Sequence, residues 1–416
     1  MRILYRYCSC ILLCCLLPAG IVLAQPQKLY LNPATAGAAP QSRFIEITRF
    51  IPMDAGSGKI NPSVGLFITK KYWIVNDYME KRIVFLNKQG KFLKSIDLKK
   101  YGDAAIVYDS RNEVLKFNIK NKHYTLINKD LVKIRANYEK KSNQKYFRNY
   151  EINLEDESLS IKRTATDPYF IINARWFYDD YYYRSDLVID PKAKDTTGYE
   201  LQLMQHYKPI QSFFPFNKTG NPVFRYSAAS SQMYLADTDT PYIKYTSRPF
   251  NTTIYKLNKD SIKPIYEIIL PLENALPQRY FSSGFKSKAE WDNFQNSNGA
   301  VFFTLSGIKD LDRYLFFGIK FMRNYESFLY EKSSAKFYKT KMIKADSSQY
   351  NIQLLQNGPG SYYDSRYYTV IPAQGLVDFY TKNKEKNIVY PPELEAYLKT
   401  ATKNSNPVIV EYKLKD

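Results

Sequence analysis

Trp73-Ile-Val-Asn-Asp77, Arg82-Ile-Val-Phe-Leu-Asn87, Lys88-Gln-Gly90 and Phe92-Leu-Lys-Ser-Ile96 make up one strand–turn–strand phrase, and the phrase returns. Its second copy runs Ala105-Ile-Val-Tyr-Asp109, Glu113-Val-Leu-Lys-Phe117, Tyr124-Thr-Leu-Ile-Asn128, Lys129-Asp130 and Val132-Lys-Ile134. Short β-branched and aromatic runs between polar turns are the pattern of consecutive hairpins. A hairpin buries only one face, so repeating it calls for a stacked or radial array of small sheets.

A polar turn after an apolar strand end marks the phase of this repeat. It occurs at Asn87-Lys88, Asn128-Lys129, Asp190-Pro191, Asn258-Lys259, Glu331-Lys332 and Lys382-Asn383, at spacings of 41, 62, 68, 73 and 52 residues. A four-stranded propeller blade takes roughly 40–45 residues, so the longer spacings read as blades with insertions. The six markers predict an all-β, six-bladed β-propeller over residues 43–416, preceded by a linker at 25–42. The 130 residues from Asn128 to Asn258 also fit three uninterrupted blades, which keeps seven blades as the alternative.

Insertions are expected near 174–199 and 271–298. In the second, Ser287 and Glu290 have capping-box spacing for a short helix. Another helix is expected at 391–399, where prolines occupy the favoured first turn. Elsewhere the signal is strand, as at Val223–Tyr226, Thr253–Leu257, Tyr314–Phe321 and Tyr367–Ile371. Arg43–Phe50 and Pro407–Leu414 are strands at opposite ends of the chain. A circular array leaves two unpaired edges unless its ends meet, so these segments are expected to share one blade and close the ring.

The segment Lys81-Arg-Ile-Val-Phe-Leu-Asn-Lys-Gln-Gly-Lys-Phe92 resembles the repeat of exported six-bladed β-propeller proteins related to the NHL-repeat type. Pro209–Pro215, Asn251–Leu257 and Asn406–Leu414 extend the resemblance over most of residues 43–414. It implies the fold and export but supplies no catalytic motif. Many members of that family carry a lipoprotein signal, from which this chain departs.

Residues 1–24 read as a signal peptide. Arg2 and Arg6 lead an apolar stretch from Ile11 to Leu17, and Val22-Leu-Ala24 precedes Gln25 as a small-residue cleavage site. The apolar run is too short to span a bilayer, and no later run is long enough. All four cysteines lie inside this segment, so the mature chain is expected to hold no disulfide or thiolate metal site. Lipidation at Cys14 or Cys15 is the alternative, disfavoured because Leu13 rather than a small residue precedes Cys14. Losing Arg2 and Arg6 from the 60 basic residues leaves 58 against 40 acidic ones. That excess favours anionic partners such as acidic glycans or cell-envelope phosphates, although scattered lysines are also what a solvated surface carries. Export argues against nucleic acid.

Little in the sequence points to catalysis. His123 and His206 are the only histidines, with no nucleophile elbow and no ligand pair at metal spacing. Asp179, Asp180, Asp186, Asp190, Asp237 and Asp239 are the carboxylates available for acid/base work on sugars. Asp237 and Asp239 alternate as hard-cation ligands do but lack a calcium loop's glycine and glutamate, so they read first as an exposed turn. Asp77 and Asp109 end strands just before turns and are expected to bond turn groups.

The functional signal is aromatic: 38 tyrosines and 25 phenylalanines, densest at 176–183 and again at Tyr362, Tyr363, Tyr367 and Tyr368. Flat rings with hydroxyl edges suit the faces of sugars, while the same alternation also serves ordinary strand packing. Arg175, Trp176, Tyr178, Asp179, Asp180, Tyr182 and Arg184 are the expected ligand-binding residues. The expected function is an exported, non-enzymatic propeller that binds a carbohydrate or a cell-envelope partner protein, without a cofactor or metal. A propeller-type polysaccharide lyase, glycosidase or lactonase using channel-lining carboxylates is the alternative.

Overall fold

A computed structural model describes residues 25–54, 56, 58–61, 65–99, 101, 104–110, 112–120, 147–164, 174–178, 181–184, 197–205, 208–217, 232–235, 243–258, 261–356 and 358–415. The expected signal peptide, the 124–134 part of the second repeat copy, the markers at Asn128-Lys129 and Asp190-Pro191, and the expected strand Val223–Tyr226 lie outside the described residues.

Three strands lead the chain: β1 (Gln27–Tyr30), β2 (Gly37–Pro40) and β3 (Ile45–Pro52). Six small sheets follow among the described residues, numbered I to VI along the chain. Sheet I holds β4 (Gly65–Ile68), β5 (Trp73–Asp77), β6 (Arg82–Leu86) and β7 (Phe92–Asp97). Sheet II holds β8 (Ala104–Asp109), β9 (Val114–Lys120), β10 (Phe147–Asn153) and β11 (Lys162–Thr164). Sheet III holds β12 (Ala174–Tyr178), β13 (Tyr181–Arg184), β14 (Thr197–Gln205) and β15 (Lys208–Asn217). Sheet IV holds β16 (Gln232–Leu235), β17 (Lys244–Arg248), β18 (Asn251–Asn258) and β19 (Ser261–Ile269). Sheet V holds β20 (Phe302–Asp310), β21 (Tyr314–Phe321), β22 (Tyr325–Glu331) and β23 (Lys336–Lys344). Sheet VI holds β24 (Ser361–Tyr363), β25 (Arg366–Ile371) and β26 (Val408–Leu414), with β3 as its fourth strand.

The four strands numbered in each sheet pair antiparallel with their neighbours, and their burial explains the sequence pattern. In sheet I the central β5 is buried at every position and β6 nearly so, whereas the outer β7 alternates. A strand covered on both faces reads as one apolar run, while an outer strand keeps a solvated face. Each fully buried side chain such as Phe85 or Phe117 contributes about 1.5–3 kcal/mol.

The sheets pack in chain order. One apolar cluster joins I to II through Ile74, Phe85, Leu115 and Phe117. Another joins III to IV through Tyr183, Leu201 and Leu257. Sheets IV and V meet around Ile268, Leu305 and Phe328, and V and VI around Phe316, Leu329 and Val410. Sheet VI then packs back on sheet I through Trp73, Val84, Tyr368 and Ile409. Five successive junctions are thus present among the described residues, and residues 165–173 between sheets II and III lie outside them.

The two ends of the chain share sheet VI as expected: Val408 pairs with Pro52 and the ladder runs on to Leu414 with Ile45. Residues 25–42 differ from the expected linker. β1 adds in parallel to the outer edge of β19, Gln27 opposite Tyr266, and β2 adds to β23, Ala39 opposite Ile343. The reason is burial, since Leu29, Leu31 and Ala36 enter the apolar cluster between sheets IV and V.

The repeat phase also differs. The first copy of the phrase spans β5, β6 and β7, whereas the second begins on β8 and β9. Its partner by position is therefore one strand late, because every strand of this array carries the same short β-branched pattern. The marker at Lys382-Asn383 is no hairpin turn. It ends helix α3 (Ala373–Lys382), where the Asn383 amide caps onto Phe379 and Tyr380. Before it come α1 (Gln278–Ser282) and α2 (Lys288–Ser297), and after it α4 (Pro392–Thr400). The 271–298 insertion is helical as expected: Ser287 Oγ accepts from the Glu290 amide, and Glu290 Oε2 accepts from the Lys286 amide. Its buried face packs Trp291 and Phe294 against Tyr280, Phe285 and Phe303.

Candidate functional site

The expected binding cluster sits on a hairpin. Arg175, Trp176 and Tyr178 belong to β12, and Tyr182 and Arg184 to β13, with Ala174 opposite Arg184, Arg175 opposite Tyr183 and Trp176 opposite Tyr182. The register shifts between Trp176 and Tyr178. Asp179 and Asp180 lie outside the described residues. These positions are therefore not in an inserted loop: 174–178 and 181–184 are the first two strands of sheet III. Between them, Tyr183 is buried and donates to the Asn258 carbonyl at 2.9 Å, which fastens the hairpin to sheet IV. His123, His206, Asp186, Asp190, Asp237 and Asp239 also lie outside the described residues.

The second tyrosine cluster is spent largely on packing. Tyr367 stacks on Tyr412 at 5.8 Å, Tyr362 lies 5.1 Å from Tyr367, and Tyr368 lies 5.0 Å from Trp73. Tyr367 and Tyr368 are buried, so alternation here serves the junction of sheets VI and I. Tyr363 alone keeps a partly exposed ring facing a cation.

That cation is Lys88, which sequence reasoning used only as a turn marker. The turn Asn87–Lys91 leads from β6 to β7 and is held tightly. Asn87 Oδ1 accepts from the Gln89 and Lys91 amides, and Gly90 has a φ of +83°. The turn is also stitched to the exit of β3: the Asp54 amide donates to the Gly90 carbonyl, and Asp54 Oδ2 accepts from the Phe92 amide at 3.1 Å. The Gly56 and Phe92 amides hold the Asp54 carboxyl below its usual range. Fixed in this way, Lys88 Nζ lies 3.9 Å from the Trp73 ring centre and 5.2 Å from that of Tyr363. Burial, aided by the charge of Arg49, pushes the ammonium down to about 8.

Around this amine, Glu411 on β26 accepts from Arg49 at 3.0 Å and also from Arg366. Glu113, from the β8–β9 turn, accepts from the Tyr108 hydroxyl at 2.7 Å and contributes to the field at Lys88, as does Asp364. Strands from sheets I and VI and a turn of sheet II therefore converge on one amine. No local sequence signal shows this, because the rings and charges come from positions up to hundreds of residues apart.

Other buried carboxylates are structural fasteners. Glu200 receives Arg248 at 2.6 Å. Asp310 receives Lys332 at 2.8 Å and the hydroxyls of Tyr245 and Tyr266. Glu331 is pushed up by burial, but bonds from Arg43 and Ser334 and the charges of Arg43 and Arg313 outweigh this and lower it. Asp77 is buried and accepts from the Glu80 amide and from Asn61, the turn-bonding role its position suggested. Asp109 accepts from Lys116 and from the Asn112 side-chain amide. A cleft of about 450 Å³ is lined by Lys59, Asn61, Glu80, Arg82, Asp97 and Lys99, and of its cations Lys99 meets Glu80 while Arg82 meets Asp77. No group of three metal-capable side chains occurs among the described residues. No described helix is long and apolar enough to cross a membrane.

No known family profile matches the chain, and no curated protein matches it. Its similarities are to solved structures. A Bacteroides fragilis protein designated as exported superposes with a TM-score of 0.55 at 12% identity, covering 94% of this chain and 100% of that one. A member of the DUF4221 family from Bacteroides vulgatus gives 0.41 at 10% identity over 90% and 99%. The PQQ-bound aldose sugar dehydrogenase of Streptomyces coelicolor gives 0.33 at 11% identity over 89% and 98%. The first shares the fold of this chain; the other two are too distant in shape to add to that.

Proposed function

We propose that the six sheets are the blades of an exported six-bladed β-propeller, and that it is a non-catalytic binding scaffold for a carbohydrate or a cell-envelope partner protein. Support for the ring is the order of packing, in which five of the six neighbouring sheet pairs meet among the described residues and the last sheet packs back on the first. Export rests on the signal-like start at residues 1–24 and accords with the designation of the Bacteroides fragilis protein.

One observation carries the choice of site. Of the cluster Arg175, Trp176, Tyr178, Asp179, Asp180, Tyr182 and Arg184, the described members lie on the first two strands of sheet III, the position that β4, β8, β16, β20 and β24 open in the other sheets. In a propeller the first strand of each blade lines the central channel, whose mouth is the usual place for a ligand. Trp176→Ala combined with Tyr182→Ala should weaken capture of cell-envelope glycan or partner at least tenfold, read by pull-down and titration, while leaving the melting temperature in place. Unchanged capture by a folded double variant removes the hairpin as the site.

A further inference from the structure

The Lys88 amine is partnered unlike other part-buried cations of the protein. Arg248 meets Glu200, Lys332 meets Asp310, and Lys339 meets Glu326 at 2.9 Å. Lys88 Nζ makes no hydrogen bond or ion pair with any described residue, and its near neighbours are the faces of Trp73 and Tyr363. An ammonium carries three donors, and an aromatic face attracts its charge without accepting them as an oxygen does. The Trp73 Nε1 is likewise buried without an acceptor. Of the carboxylates whose charge reaches Lys88, Glu411 is already held by Arg49 and Arg366, and Glu113 is engaged by Tyr108. The charges around the site are balanced, Arg49 and Arg366 sharing Glu411 with Glu113 and Asp364 close by, and the one ammonium that lacks an oxygen acceptor among the described residues lies beside a partly exposed tyrosine ring. Its unmet requirement is an oxygen anion.

We propose that Lys88, caged by Trp73 and Tyr363 and backed by Arg49, is a recognition site for the anionic group of an acidic sugar, a carboxylate or a sulfate ester. The anion accepts from the ammonium, and the apolar face of the sugar lies against Tyr363. The site is built from sheets I and VI and shares no residue with the sheet III hairpin, so either can fail while the other stands. Protonated Lys88 is the binding form, and the groups facing it are Arg49, Glu411, Glu113, Asp364 and Tyr363. With the amine at about 8, affinity for the anion falls as pH rises from 7 to 9.

The test is calorimetric titration of the folded protein with three oligosaccharides of equal length: a galacturonate, a sulfated one and a neutral one. At pH 7 an acidic ligand should bind at least tenfold more tightly than the neutral one, and the two acidic arms show which anion is preferred. Lys88→Met should abolish that margin, with Lys88→Gln measured as well in case the first variant is less stable. Lys88→Arg should keep the margin and flatten its decline between pH 7 and 9, because a guanidinium stays charged there. Equal binding of acidic and neutral ligands, or acidic binding that survives Lys88→Met, overturns the proposal. The second outcome assigns the attraction to the overall charge of +20.

Discussion

At the residue scale, Lys88 and the buried tyrosines pull the stability of the protein in opposite directions as pH rises. The Lys88 pKa is depressed to about 8, so between there and the ordinary lysine value the unfolded chain holds a proton that the folded chain has released. Stability should rise over that window by roughly 1 kcal/mol once solvent screening is allowed for, and Lys88→Met should lack the rise. Burial holds the Tyr368 and Tyr397 hydroxyls up to about 12. Tyr245, Tyr266 and Tyr412 are raised further, by burial and, for the first two, by Asp310. Their contribution is complete below about 10 and is lost above it, as the unfolded tyrosines ionise first. Urea midpoints measured from pH 7 to 11 should therefore climb in the wild type, then drop, and tyrosinate absorbance should appear together with unfolding. A midpoint that is flat above pH 10 would contradict the burial described.

Gly90 makes a second case at this scale. Its φ of +83° suits glycine, and a Cβ would run into the Pro52 carbonyl and stand 2.9 Å from Ile51 Cγ2. Gly90→Ala should cost more than about 2 kcal/mol in urea unfolding, because both the turn and its seat on β3 must shift. A loss within 0.5 kcal/mol would mean that this seat is loose.

At the element scale, what was legible depended on whether the signal was local. β21 lies where its apolar run placed it, and α2 begins at Ser287 because the capping pair is contained within four residues. The strand phrase at 73–96 was likewise correct strand by strand. Its repeat was matched one strand out of phase, because nothing within a short β-branched run says whether it opens a sheet or sits in its middle. α3 was missed for a related reason: Ala373–Lys382 follows a strand and ends in Lys-Asn, so its end resembled one more hairpin turn. The sheet III aromatics were legible as a cluster but misjudged as a loop. Lys88 could not be found at all, since its cage exists only once β24 and β3 lie beside the β6–β7 turn.

At the scale of the whole molecule, sheet VI is the joint on which the array depends. Its strands come from both ends of the chain, and β26 is central, paired on one side with β25 and on the other with β3. Removing residues 407–416 takes away both ladders and the buried Val408, Ile409, Val410 and Tyr412. At about 1.5–3 kcal/mol per buried side chain, that loss is comparable with the entire stability of a folded domain. The truncated chain should show no cooperative melting transition and should expose its amides to exchange throughout sheets VI and I. A truncated protein that melts near the full-length temperature would refute the shared sheet. Helices α3 and α4, which separate β25 from β26, pack Leu376, Leu394 and Leu398 into the same cluster and cover the joint.

The partners of β1, β2 and β3 all lie more than two hundred residues downstream, on β19, β23 and β26. A chain translocated from its amino end therefore delivers its first three strands long before anything exists for them to pair with. Until their partners arrive they are open edges, able to template association between neighbouring chains. Such long loops are also slow to close. A chain made from its amino end thus has a waiting time during which a holding chaperone has work to do, and the seven-residue β26 ends that wait for β3.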